Sequence, residues 1–149
     1  MREPRNLEVT DLSLQLAELT YRVTKGFPLD ERFGLVAQMR RAAVSVGSNI
    51  SEGCGRSSDR AFVNYIENAV SSVLEVDFQA VVAIRLGFGD AEMLHELRRR
   101  TDQLKRMLVS LTSAVRRKKL APPAGQREAP VAAQAPGVVP VRARGGSAA

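Results

Sequence analysis

The residues equipped for chemistry are few and far apart. His95 is the sole histidine and Cys54 the sole cysteine among 149 residues. Nucleophilic catalysis needs a nucleophile, a base within hydrogen-bond reach and a third group to orient that base. His95 falls on the polar side of its helical pattern, away from the leucine row, so one chain cannot assemble such a set. A single cysteine excludes a disulfide framework, and one His with one Cys is too few for a zinc cluster. Cys54 lies between Gly53 and Gly55 with no histidine nearby, which reads as a passive thiol. Glu67, Glu75 and Asp77 share one helical pattern and invite comparison with a carboxylate cluster. A di-metal bundle, however, draws a histidine from each of two helices. Gly53-Cys54-Gly55 lacks the preceding strand of a phosphate loop. The expectation is a non-enzyme with no metal and no cofactor.

Basic side chains are the better lead. The chain carries 22 Lys and Arg against 16 Asp and Glu, a net charge of +6. Residues 1–90 hold 10 basic and 12 acidic side chains, whereas residues 91–120 hold 9 and 3. A local basic stretch on a near-neutral body points to a surface facing a polyanion. On the helical pattern of 91–120, Arg99, Arg106 and Arg117 align opposite the leucine row, and Arg98, Lys105 and Arg116 form a parallel row. The span from Arg98 to Arg117 is roughly 28 Å at ~1.5 Å per residue, comparable to several phosphates along a backbone. No aromatic residue lies between Ala91 and Leu120, so base stacking is not available there and phosphate contact with little sequence preference is expected. The competing reading is a solvated helix face. Cations near a helix C-terminus favour the macrodipole, which accounts for Arg116 to Lys119 but not for Arg98 to Arg100.

Four helical patterns must position these residues. The first runs from about Asp11 to Thr24 with Leu12, Leu16, Leu19 and Val23 on one face, Thr10 as N-cap, and Gly26 and Pro28 as stops. A second opens after Pro28 with Asp30 as cap, carries Leu35, Met39, Ala42, Val46 and Ile50, and ends near Gly53 and Gly55. A third follows a Ser57-Ser58 cap and repeats Phe62, Ile66, Ala69, Val73, Val76, Ala80 and Ala83 in heptad rhythm, punctuated by Gly87 and Gly89. The fourth, capped by Asp90, repeats Leu94, Leu97, Thr101, Leu104, Leu108, Leu111 and Val115. Short connections between amphipathic helices predict an all-α fold, an antiparallel up-and-down four-helix bundle over 1–120. Residues 121–149 hold five of the seven prolines, show no apolar period and read as a disordered tail.

The third helix is more apolar than one core requires. Val63, Val70, Leu74, Val81 and Phe88 form a second row beside its heptad face, against the ~100° stripe usual for a helix on one core. That row marks either a subunit interface or an unusually central helix. Hydrophobic residues at 44% exclude a wholly disordered chain. The longest apolar run, Ala80 to Ile84, is too short to span a membrane. The segment from Met1 to Asn6 leads into no apolar signal region, so a soluble cytoplasmic protein is expected.

Several segments resemble a known family. They are Phe27-Pro28-Leu29-Asp30-Glu31-Arg32-Phe33-Gly34-Leu35, Gln38 to Val46, Ser48-Asn49-Ile50-Ser51-Glu52-Gly53, Gly55-Arg56 and Leu86-Gly87-Phe88. Together, over about Leu12 to Lys118, they are similar to the four-helix bundle proteins encoded by intervening sequences of bacterial 23S ribosomal RNA genes. This family is also labelled S23 ribosomal protein, and its relatives include the accessory variability determinant of diversity-generating retroelements. The resemblance implies a bundle that assembles into a ring-like homopentamer. In the retroelement branch it further implies a basic ring that binds nucleic acid and a reverse transcriptase. Asn49 and Glu52, one helical turn apart, are expected to fix helix termini or a subunit contact, with Gly53 beside them and Arg40 or Arg41 as the charge partner of Glu52.

Overall fold

The computed structural model describes residues 8–120, apart from the side chains of residues 119 and 120. The expected tail, with Arg127, Arg142 and Arg144, lies outside the described residues. The chain forms α1 (Glu8–Thr24), α2 (Leu35–Cys54), α3 (Asp59–Leu86) and α4 (Ala91–Leu120), with one 3-10 turn at Leu29–Glu31. Each helix packs on its neighbour in sequence, and α4 closes against α1. The result is a four-helix bundle, and the described residues include no strand.

The apolar rows read from the sequence form the core, except that Leu12, Leu35, Leu111 and Val115 are only half-buried against its edge. Leu16, Met39, Val46, Ile50, Phe62, Ile66, Val76, Leu94, Leu97 and Leu108 are fully buried. Truncating any of the large ones to Ala costs about 2–5 kcal/mol. Buried hydroxyls in α1 are satisfied locally: Thr20 donates to the Leu16 carbonyl at 2.8 Å and Thr24 to the Thr20 carbonyl at 2.7 Å.

Two of the expected caps are in place. The Ser58 hydroxyl accepts from the Ala61 amide at 3.2 Å, and Asp90 Oδ1 accepts from the Met93 amide at 2.8 Å. The other two are corrected. Helix α1 has already begun at Glu8, so Thr10 lies inside it. Asp30 belongs to the 3-10 turn and α2 starts only after Gly34, with Glu31 Oε2 accepting from the Leu35 amide at 3.0 Å. A carboxylate four residues before the first helical amide reaches it because the 3-10 turn folds the chain back.

The α3–α4 connection shows why glycine is needed there. Gly87 adopts φ 70° and the Phe88 amide returns to the Ala83 carbonyl at 2.9 Å, closing α3 in a left-handed cap. Gly89, at φ 65°, leaves room for Phe27, whose ring a Cβ there would meet at 2.8 Å.

Candidate nucleic-acid interface

Helix α4 presents its basic residues as two rows, as its periodicity predicts. Arg99 and Arg106 have side chains 67% and 70% exposed, and Arg117 is also exposed. The second row leans toward α3. Arg98 Nε donates to Asp77 Oδ1 at 3.0 Å, an oxygen that also accepts from the Thr101 hydroxyl, and Arg116 bonds Glu67. The α3 carboxylates considered above for metal binding are therefore split between helix contacts. Among the described residues no group of three or more His, Cys, Asp or Glu could hold a metal ion. His95 is exposed and Cys54 is buried.

The acids on α4 are outnumbered and shared. Glu96 holds Arg99 at 2.8 Å and Arg100 at 2.8 Å, while Asp102 holds Lys105 at 3.3 Å and Arg106 at 2.7 Å. Hydrogen bonds from Arg100 and then Arg99 hold the Glu96 carboxyl below the usual carboxylate range. Arg100 also reaches across to α1, donating to Gln15 Oε1 at 2.7 Å. Glu96 and Asp102 so serve two cations each, and with Glu92 in the first turn as the third acid the helix keeps a positive remainder. Among the described residues no ion pair involves Arg117 or Lys118. The Glu96 and Asp102 pairs are at least partly solvent-exposed, and pairs of that kind add little to stability.

The Asn-Ile-Ser-Glu-Gly stretch of α2 has a packing role. Asn49 Nδ2 donates back to the Ser45 carbonyl at 2.8 Å and the Ser45 hydroxyl at 3.1 Å, and that hydroxyl meets Ser72 Oγ of α3 at 3.0 Å. Asn49 and Glu52 do not bond each other within the chain: Asn49 is half-buried toward α3 and Glu52 is exposed. Glu52 lies 3.8 Å from Arg56, whose guanidinium covers Tyr65 at 4.5 Å. Arg40 and Glu52 share α2 about 18 Å apart, so they cannot meet in one chain. Arg40 instead donates to the Thr24 hydroxyl at 2.9 Å and lies 4.6 Å over the Tyr21 ring. Arg41 is exposed. Gly53 brings α2 close to α3, since a Cβ there would lie 2.9 Å from Tyr65 Cβ.

The second apolar row of α3 divides. Val63 is 6% exposed and belongs to the core, and Phe88 packs on Phe27 of the same chain with ring centroids 5.9 Å apart. Both are used inside one protomer; Val63 lies in the second turn of α3, whereas Phe88 falls outside the helix, past the Gly87 cap, because the left-handed turn takes it off the expected row. Val70 and Val81 are half-buried and Leu74 is exposed. Sequence reasoning passed over Phe78, which is 68% exposed, and the exposed set Leu14 and Tyr21 on α1, Phe33 in the turn before α2 and Val44 on α2. Phe78 follows Leu74 by four residues, the spacing that places it on the same outward ridge.

Comparison with known proteins bears on the whole arrangement. The model of the family described as 23S rRNA-intervening sequence protein matches residues 5–110. A solved structure from Bacteroides thetaiotaomicron VPI-5482, a protein of unknown function from the S23 ribosomal protein family, is 24% identical. The match covers 70% of this chain and 97% of that one, with a TM-score of 0.64. At that identity the likeness is one of fold. No curated protein matches. No helix among the described residues is long and apolar enough to cross a membrane.

Proposed function

The chain belongs to the 23S rRNA-intervening sequence protein family, and from that premise we propose that it is a non-enzymatic, self-associating bundle that binds structured RNA or DNA through α4. The observation that carries this reading is the sharing of carboxylates. Glu96 and Asp102 each pair with two cations, so the outer α4 face keeps a net positive charge along its length. Arg98, Arg99, Lys105, Arg106, Arg116 and Arg117 are the proposed phosphate contacts. Their spacing follows a backbone, and the absence of aromatic side chains on this face favours charge and shape over base identity. Self-association, with a ring-like homopentamer as the form the family resemblance implies, would place several such faces in one particle. It would also leave surface for a protein partner, a reverse transcriptase among those the resemblance suggests.

The test is a titration of labelled structured RNA and duplex DNA at several salt concentrations, with Arg99→Ala/Arg106→Ala/Arg117→Ala alongside. Affinity is expected to fall steeply with salt, and the slope to flatten by about 0.9 per lost duplex phosphate contact in the variant. The ion pairs to Asp77 and Glu67 favour a second reading, an assembly module whose cations serve the fold. No binding at low salt would establish that reading and retire the first.

A further inference from the structure

We infer that the cleft between α1 and α2 receives the α3 ridge at Leu74 and Phe78 from a second copy of this chain, so that protomers join head to tail. This rests on the self-association proposed above and assigns its two faces.

The cleft is apolar with a cationic rim. At one end it is lined by Tyr21, Phe33, Val44, Arg32, Arg40 and Arg41, with no carboxylate in the lining. It continues along the same two helices past Leu14, Gly47 and Ser48. Phe33 is 87% exposed, Leu14 59% and Val44 47%, so large apolar side chains stand uncovered beside small ones. Arg40 and Arg32 already cover the Tyr21 and Phe33 rings at 4.6 Å and 5.4 Å. Stacked arginines leave less ring face for a nucleobase and favour apolar side chains flanked by carboxylates.

The chain presents that chemistry itself. Ser72 faces α2 through Ser45, and Asp77 faces α4 through Arg98. Phe78, between those directions, points out of the bundle with Leu74 one turn away. Glu75 flanks them, exposed and holding only the Gln79 amide among its described contacts, at 3.2 Å. No described ion pair involves Glu75 or Arg41, so each is available to the other across an interface. The ridge and the cleft lie on different sides of the bundle. A contact between unlike faces is heterologous, and it closes into a ring or runs on as a filament; it does not stop at a symmetric dimer.

Light scattering or sedimentation of the full chain tests this with two variants, Phe78→Asp (ridge lost, cleft intact) and Val44→Asp (cleft lost, ridge intact). Both positions are exposed, and helical melting by circular dichroism verifies the fold of each. The wild type is expected as a multimer and each variant as a chain of 16.2 kDa. Mixing the two variants should yield a 1:1 dimer of roughly twice that mass and nothing larger, because one intact face of each kind remains. Arg41→Glu and Glu75→Arg should each weaken assembly, and the double variant should recover it. A wild type that is monomeric overturns the self-association reading as well. A multimer whose mass survives both Asp variants overturns only this assignment, as does a cleft that binds oligo(dT) in competition with assembly.

Discussion

At the scale of single residues, the acids of α4 decide how much of its positive charge is available. Glu96 is held ionised by Arg100 and Arg99. Its folded carboxyl titrates below its unfolded range, so the stabilisation it contributes is full above the unfolded range and is lost as pH falls through the folded value. Removing the carboxylates frees two cations each. Glu96→Gln/Asp102→Asn should therefore tighten polyanion binding severalfold at low salt and steepen its salt dependence, measured in the same titration as the arginine variant. Unchanged or weaker binding would mean that those arginines do not touch phosphate. The Arg–Glu and Arg–Asp spacings of three and four were legible in the sequence as one-turn neighbours. The cross-helix partners Asp77 and Glu67 were not, because they lie 21 and 49 residues from Arg98 and Arg116.

At the scale of elements, the α2–α3 contact turns on Gly53. In an exposed helix Gly→Ala gains about 1 kcal/mol. Here the new Cβ would lie 2.9 Å from Tyr65 Cβ, at the root of that side chain where no rotamer change relieves it. Gly53→Ala is expected to lower stability by about 1–3 kcal/mol through the parting of α2 and α3. Gly55→Ala, whose Cβ would meet only the Glu52 carbonyl at 3.4 Å, serves as the control. Chemical denaturation that finds Gly53→Ala as stable as the wild type would refute the close-approach account. Farther along the same two helices the Ser45 and Ser72 hydroxyls meet across the contact at 3.0 Å, with Asn49 bonding Ser45 from within α2.

At the scale of the whole molecule, affinity for long nucleic acids should depend on assembly even though phosphate contact does not. A particle with several α4 faces gains avidity on a long duplex by converting later contacts into intramolecular ones. The Phe78→Asp protomer keeps α4 intact. It should bind a duplex about one α4 length long, roughly 45 Å at ~1.5 Å per residue, as the wild type does, and a long duplex at least tenfold more weakly. Equal loss on both lengths would show that Phe78 acts through α4 and not through assembly.

Local periodicity by itself determined four helices, their core rows and the Ser58 and Asp90 caps, because 3.6-residue spacing and capping chemistry act between residues close in sequence. It also placed Arg99, Arg106 and Arg117 on the outer face, since whatever opposes a leucine row must face water. Only the tertiary structure decided which apolar residues remained uncovered. The helical wheel puts Val63 and Phe88 on the same row as Leu74, yet Val63 is in the core and Phe88, past the end of α3, meets Phe27 from the turn after α1. Coverage depends on which distant segment folds over a position, and a helical wheel holds no information about that. The separation of Arg40 from Glu52 is of the other kind: twelve residues along one helix set it by rise alone, about 18 Å at ~1.5 Å per residue, whereas the Thr24 hydroxyl that Arg40 bonds instead belongs to α1 and only the packing of α1 on α2 supplies it.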